Sequence, residues 1–362
     1  MTKLIIDSHL DLAMNALGWG RDLTQSVAEI NAQEAGMTRP GRRRATTSLV
    51  EMRRAGVAVC LATVVARVKP ELCFPEEPGR TSIDYPNHQI AYAAAQGQLA
   101  YYRLLEGQGE VRLLRTAGEL DAHWQEWQQG EHAKLPVGII LAMEGADPIV
   151  EPDQAEAWFG DGLRFVSLAH YGKSRYAVGT GESGPLTDEG VRLLREFERL
   201  GMILDVTHLA EPGFSQALDS FDGPVMASHN NCRALVPGDR QFSDEQIRRL
   251  VDRDAVIGVA LDAWMLHPGW RIGQTSREVV GLDAVADHVD HVCQLAGDCD
   301  HVGIGSDLDG GYGTEQTPVG LDTIADLQKL ADLLSARGYG DPRIDAVFHG
   351  NWLRLFRQHL RR

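Results

Sequence analysis

Histidines and carboxylates recur at the ends of short apolar runs along this chain. The first run ends at His9 and Asp11, a later run ends at Glu144, and two more end at His208 and His229. Imidazole nitrogens and carboxylate oxygens together form the ligand set of a divalent transition metal, zinc above all. The pattern indicates a metal centre, provided that the fold brings these ends together.

The runs have the length of strands, and amphipathic helical stretches separate most of them. Most are nearly continuous in apolar residues, which is typical of parallel strands covered on both faces. The predicted strands are Leu4–Asp11, Val57–Val65, Val137–Glu144, Arg164–His170, Met202–His208, Pro224–His229, Ala255–Leu261 and His301–Asp307.

Helix signals between the strands complete a repeating pattern. Thr187–Leu200 places apolar residues on one face and ends at a glycine, and Ser243–Arg253 opens with a serine N-cap followed by acids. Leu321–Arg337 is a third such segment, and Asn87–Glu106 is a helix within the long connection after the second strand.

Eight strand–helix units predict a single (β/α)8 TIM-type barrel over residues 1–362, with an insertion after the second strand. An open doubly wound sheet is the alternative. The absence of a GxGxxG motif after the first strand weakens a dinucleotide-binding interpretation of that alternative.

A barrel collects the carboxyl ends of its strands on one face, where active sites are built. His9 and Asp11, two apart in a strand, can face the same ion, and His208 and His229 from neighbouring strands can hold a second. Glu144 lies between the two groups and can give one oxygen to each ion. Two zinc ions bridged by Glu144 and a hydroxide would provide a nucleophile at neutral pH and a Lewis acid for a carbonyl.

Composition excludes several other classes. The chain has 362 residues, with 51 acidic against 35 basic side chains, a formal net charge of −16 and 43% hydrophobic residues. This balance is typical of a globular protein, and it argues against binding a nucleic-acid backbone. No apolar run approaches the length of a membrane span. Five scattered cysteines without paired spacing favour a reducing cytoplasm.

Taken together and in order, the motifs resemble the renal (membrane) dipeptidase family, zinc peptidases of the amidohydrolase superfamily. The resemblance runs nearly end to end. It rests on IDSHLD from Ile6, Glu144-Gly145, PLTDEGVRLLREFERLGMILDVTH from Pro185, SHNNCRAL from Ser228, SDEQIRRL, HVGIGSDLDGG from His301, and GNWLR from Gly350.

The resemblance implies a homodimeric zinc dipeptidase with the same five metal ligands. It further implies that His170 contacts the scissile carbonyl, that Arg233 binds the substrate's C-terminal carboxylate, and that Asp307 transfers protons. Each role is chemically apt, because an imidazole can donate to a developing oxyanion, a guanidinium fork matches a carboxylate, and a carboxylate can act as base and then acid.

Each of these three residues also has a structural alternative. Arg233 could form an internal ion pair, Asp307 could orient a metal ligand, and His170 could be a spare ligand or a core histidine. For the whole chain, the alternatives are an amidohydrolase acting on another small amide, an N-acyl amino acid or a lactone, and a catalytically silent relative. The segments after His170 and Leu261 depart from the family pattern, which leaves the substrate side chains open.

Overall fold

Eight parallel strands form a ring in the computed structural model, which describes residues 2–72 and 83–361. The strands are β1 Ile5–Leu10, β2 Val57–Val65, β3 Val137–Glu144, β4 Leu163–Ser167, β5 Ile203–Asp205, β6 Val225–Met226, β7 Ile257–Val259 and β8 Val302–Ile304. The neighbours pair in the order β7-β8-β1-β2-β3-β4-β5-β6. A parallel bridge between Ala227, directly after β6, and Ile257 in β7 brings the two ends of this row together. The ring is the (β/α)8 barrel that the sequence predicts.

Helices alternate with these strands, and several of them begin at a side-chain cap. Ser243 and Gln246 form a reciprocal capping box, and Thr187 caps the backbone N–H of Gly190. The α-helices are Val27–Gln33, Leu49–Ala55, His88–Gly107, Ala117–Gln129, Ala155–Asp161, Asp188–Leu200, Glu211–Ser220, Asp244–Asp252, Ala263–Leu266, Asp283–Ala296, Lys329–Ala336, Asp341–Asp345 and Asn351–His359. None of the helices in the described ranges is long and apolar enough to cross a bilayer.

Except for β2 and β3, the predicted strands extend beyond the observed ones at one or both ends, and one predicted helix is divided. β5 and β6 end before His208 and His229, which lie in the loops that follow. The chain leaves the ladder here because its last residues turn inward, and His208 adopts a left-handed φ of 68° that no strand permits. The late helix predicted as Leu321–Arg337 is divided into a 3-10 turn, Ile324–Gln328, and the helix Lys329–Ala336.

The insertion after β2 forms a long helix and two short strand pairings. Its helix His88–Gly107 is capped by the Asn87 side chain. Val111–Leu113 pairs with the start of β3, whereas Arg67–Val68 pairs with Asp84–Tyr85 in a separate short ladder. Cys73, one of the five cysteines, lies outside the described residues.

Buried polar contacts join the strand ends near the carboxyl face. Asp7 in β1 accepts hydrogen bonds from the Ser306 N–H at 2.9 Å and the Ser306 hydroxyl at 2.5 Å, which ties β1 to the end of β8. Ser8 donates from Oγ to the Ser228 carbonyl oxygen at 2.5 Å. These bonds fix the backbone next to His9 and His229, which follow Ser8 and Ser228 directly.

Candidate metal centre and active site

Four imidazole nitrogens converge on one carboxylate oxygen at the carboxyl face of the barrel. Glu144 Oε1 lies 3.3 Å from Nε2 of His208, 3.4 Å from Nε2 of His229, and 3.6 Å from Nε2 of both His9 and His170. Glu144 is the last residue of β3, and the histidines come from or follow β1, β4, β5 and β6. The fold therefore places Glu144 at the middle of the cluster.

Two further carboxylates extend the cluster on the His9 side. His9 Nε2 is 3.9 Å from Asp11 Oδ1 and 3.8 Å from Asp307 Oδ1. The structure thus places the five predicted metal ligands in one cluster with His170 and Asp307. Asp307 shares one group of possible metal ligands with His9 and Asp11, and Glu144 shares the others with the remaining histidines.

The residues present fit a group of metal ions. His9 Nε2 is buried and has no hydrogen-bond partner within the described ranges, although carboxylates surround it. Burial lowers the pKa of His9 to about 3, so the ring is neutral. Burial also raises the pKa of Glu144 and Asp307 well above the ordinary range, and Asp11 raises both further by repulsion. Cations among these groups would give the imidazole lone pair a partner and relieve the repulsion.

Hydroxyl groups hold two of the rings by their far nitrogens. Thr180 Oγ1 lies 2.9 Å from Nδ1 of His208, and Ser228 Oγ lies 2.8 Å from Nδ1 of His229. Such contacts allow Nδ1 to carry the proton and direct the Nε2 lone pair toward a metal. Thr180 belongs to the loop after His170, one of the segments that departs from the family pattern, and this loop helps to build the centre.

The contact at Nδ1 of His170 fixes the opposite tautomer. Arg67 Nη1 lies 3.1 Å from its Nδ1, and a guanidinium can only donate. Nδ1 therefore accepts, and the proton of the neutral ring resides on Nε2, the nitrogen that faces Glu144. Burial, with the charge of Arg67 in addition, lowers the pKa of His170 well below its usual value. His170 thus offers an N–H donor to the cleft, which suits an oxyanion better than a metal ion.

Arg67 reaches His170 from the insertion. Its guanidinium donates to both carboxylate oxygens of Asp84, at 2.7 and 3.0 Å, across the short ladder after β2. Sequence reasoning did not identify Arg67. Its position two residues after a predicted strand end was the available signal.

Arg233 does not lie at the centre. Its guanidinium forms an ion pair with Glu211 at 2.9 Å and donates to the carbonyl oxygens of Gly238 and Gln241. It lines a separate cavity of about 320 Å³ beside Glu182. The geometry supports the internal ion pair for Arg233 and not the carboxylate site, because Glu211 already neutralises its charge.

Another arginine of the same loop approaches the metal ligands. Arg240 is 3% exposed and donates to the His229 carbonyl oxygen at 2.9 Å and to the Asn230 side chain at 2.6 Å. After burial, its positive charge contributes to lowering the pKa of both His9 and His208. Arg240 is the buried cation that sequence reasoning missed.

The chain belongs to the membrane dipeptidase family, peptidase family M19, whose model matches residues 1–361. Members of this family are metal-dependent hydrolases of dipeptides. The resemblance noted in the sequence is therefore confirmed.

Two relatives can be aligned with about two thirds of this chain. An uncharacterized protein in the pqqA 5' region of Klebsiella pneumoniae is 33% identical over 69% of this chain and 89% of its own length. Dipeptidase verJ of Clonostachys rogersoniana is 31% identical over 67% of this chain, and the matched region spans 58% of verJ.

Solved structures agree in fold along the whole chain. A dipeptidase described as a metallopeptidase of family M19 superposes with a TM-score of 0.77 at 25% identity, covering 99% of both chains. A metallopeptidase from Rhodobacter sphaeroides, solved with a phosphinate mimic of the dipeptide L-Ala-D-Ala, has the same TM-score at 24% identity and covers 99% of this chain and 100% of its own.

Proposed function

We propose that this chain hydrolyses dipeptides at a centre of two zinc ions. The ligands are His9, Asp11, Glu144, His208 and His229, with Glu144 shared between the ions. The observation that carries the proposal is the convergence of four Nε2 atoms on one Glu144 oxygen at 3.3–3.6 Å, with the orphaned His9 nitrogen facing two further carboxylates. Family membership makes dipeptides the first substrate class to assay.

When bound, the ions supply a Lewis acid and lower the pKa of coordinated water. Asp307 lies beside this position, where its carboxylate can take a proton from the attacking water and return it to the leaving amine. His170 presents its Nε2 proton toward the Glu144 side of the cleft, where it can donate to the carbonyl oxygen as negative charge develops.

Arg240 is the group that we assign to the substrate's free carboxylate. Its charge is buried beside the ligand His229, whereas Arg233 is already paired with Glu211. A dipeptide has its carboxylate a few ångströms from the scissile carbon, and a buried guanidinium recognises that group by charge-assisted hydrogen bonds. A peptide lacking the free carboxylate would leave Arg240 without this partner.

The test is hydrolysis of matched dipeptides by the zinc-loaded protein. Free-acid dipeptides should be cleaved, the same dipeptides blocked as C-terminal amides should be poor substrates, and chelation should abolish both reactions. Arg240→Met should reduce kcat/KM for the free acids by roughly ten- to a hundredfold, which corresponds to the free energy of a charge-assisted hydrogen bond.

Arg233→Met is the matched control, since it removes an arginine from the same loop without touching the centre. Equal turnover of acids and amides by the unmodified protein would favour the small-amide alternative. Full activity of rigorously metal-free protein would refute the proposed centre.

Two further properties are part of the proposal. The family resemblance supports a homodimer, which light scattering of the purified protein would test. Free thiols at Cys60, Cys232, Cys293 and Cys299 support a cytoplasmic location. Localisation of a tagged chain in its native cell tests this point.

A further inference from the structure

A cavity of about 620 Å³ lies among three loops at the carboxyl end of the barrel, those that follow β1, β7 and β8. No predicted metal ligand lines it. We call it the arginine cavity, after the residues on one of its walls. Its lining includes Arg43, Arg44, Trp270, Arg277, Glu315 and Gln316.

The arginine wall is held in place by a buried acid. Glu34 is 4% exposed and accepts from Arg21 Nε at 2.9 Å, from Arg42 Nη1 at 2.7 Å and from the backbone N–H of Arg43 at 2.6 Å. Arg43 adopts a left-handed φ of 62°. A non-glycine residue keeps this conformation only where its surroundings impose it. The loop therefore presents its cations in a fixed arrangement, in a chain whose net charge is −16.

Buried polar atoms without partners line the rest of the cavity. Within the described ranges, Trp270 Nε1 and Gln316 Oε1 lack hydrogen bonds although each residue is only 7% exposed. Arg277 Nε and Glu315 Oε2 are likewise unpartnered in hydrogen bonds, with Arg44 Nη1 3.6 Å from the Glu315 oxygen. Buried groups of this kind normally have partners, so the wall is built for a ligand with both acceptors and donors.

We propose that the arginine cavity binds an acidic amino-acid residue. Its carboxylate pairs with Arg43 and Arg44, and its N–H groups face Glu315 and Gln316. The arginines select an anion, and the acceptors beside them, Glu315 and Gln316, select an anion that also carries N–H donors. A free carboxylate or an inorganic anion would satisfy only the arginines.

Two ligands carry such an acidic residue. One is an acidic residue of the dipeptide under hydrolysis, an option that rests on the proposed function. The other is a free acidic amino acid bound beside the centre. The cavity adjoins the loop of Asp307, since Asp309, two residues after Asp307, accepts from the backbone N–H of Thr46, two residues after Arg44, at 2.9 Å.

The first arm compares Ala-Glu with Ala-Gln, in L,L and L,D forms, on the zinc-loaded protein. These substrates differ only by a side-chain charge. If the cavity holds the substrate's side chain, kcat/KM should favour Ala-Glu, and the ratio of the two values should fall about tenfold or more in the double variant Arg43→Gln, Arg44→Gln.

The second arm measures glutamate and glutamine binding by calorimetry while a phosphinate mimic of a neutral dipeptide occupies the centre. Saturable binding of glutamate that the double variant weakens about tenfold or more identifies the free amino acid as the source. The double variant Arg195→Gln, Arg248→Gln, which removes two exposed cations from the helices Asp188–Leu200 and Asp244–Asp252, is the charge-matched control and should change neither arm.

An unchanged Ala-Glu to Ala-Gln ratio together with no saturable glutamate binding would overturn the inference. If the unmodified protein cleaves no dipeptide at all, the proposed function fails, and the calorimetric arm still decides the role of the cavity.

Discussion

At the scale of single residues, the position of the proton on the His170 ring depends on the guanidinium of Arg67. Arg67→Met removes the donor that keeps Nδ1 as an acceptor, so the ring can place its proton on either nitrogen and is no longer fixed in orientation. We expect kcat to fall about ten- to a hundredfold with little change in metal content, because the contact is not to a ligand. Steady-state kinetics and metal analysis measure both quantities.

Arg112→Met is the matched control for this prediction. Arg112 Nη1 lies 3.1 Å from Nδ1 of His123, the same contact at a position remote from the centre. This variant should keep the unmodified kcat. A similar loss of kcat in both variants would show that Arg67 acts through general stability and not through His170.

Residue types at strand ends were predictable from the sequence, but the choice between two arginines was not. His9, Asp11, Glu144, His208 and His229 are marked by their position after apolar runs, and the fold gathers them. Arg233 and Arg240 share one loop, and only the three-dimensional path of that loop buries Arg240 and pairs Arg233 with Glu211. Hydrophobic pattern contains no information on where a loop arginine points.

At the scale of elements, two glycines make room for the contact that joins β1 to the end of β6. A Cβ on Gly305 would stand 1.9 Å from the Ser228 carbonyl oxygen, and one on Gly258 would stand 2.0 Å from it. Gly305→Ala should therefore destabilise the fold by about 3 kcal/mol and reduce bound metal, since Ser228 precedes a ligand. Urea unfolding and metal analysis test this.

Gly97→Ala is the control for that substitution. Gly97 lies inside the helix His88–Gly107, and nothing stands within 4 Å of an added Cβ. Alanine should stabilise the helix there by up to about 1 kcal/mol. If both alanine variants shift stability in the same direction, the packing argument for Gly305 is wrong.

A buried histidine on the helix Asp283–Ala296 makes stability depend on pH. His288 accepts the backbone N–H of Cys232 at 3.1 Å, and burial lowers its pKa to about 4 from an unfolded value of 6.5. The folded state therefore binds fewer protons between these values, so stability is complete above pH 6.5 and is lost as pH falls toward 4. The full loss is about 3 kcal/mol.

His288→Gln keeps an acceptor but cannot take up the proton. Between pH 7 and pH 5, the unmodified protein should lose about 2 kcal/mol more unfolding free energy than this variant, measured with saturating zinc. Equal slopes for the two proteins would remove His288 as the titrating group.

Element type was predictable, whereas strand ends were not. Continuous apolar runs such as Val57–Val65 form fully buried strands, and β2 has the predicted bounds. At β1, β4, β5, β6 and β8 the prediction runs past the observed end, because the same short runs continue into residues that leave the ladder to face the centre. His208 and Asp307 have φ values of 68° and 57°, a conformation that residue type does not reveal.

At the scale of the whole molecule, metal loading should release protons and stabilise the fold. Without metal, burial raises the pKa of Glu144 and Asp307 well above the ordinary range and that of Asp11 to about 6. Bound cations require the ionised carboxylates, so zinc binding below neutral pH should displace protons into the buffer. Binding to the folded state alone also raises the melting temperature.

Calorimetric zinc titration at pH 6 in buffers of different ionisation enthalpy counts these protons. The heat should vary with the buffer, and the apparent proton release should decrease as pH rises. A heat independent of buffer would mean that the carboxylates are already ionised in the metal-free protein.

The pairing of β1 with β8 has a consequence for synthesis on the ribosome. Asp7 and Ser306, which fasten these strands, are 299 residues apart, and the backbone N–H of Asp307 donates to the carbonyl oxygen of His9. The earliest residues of the centre therefore remain without these partners until β8 has been translated. A nascent chain arrested before β8 leaves the exit tunnel should not retain zinc, however well its first strands have collapsed.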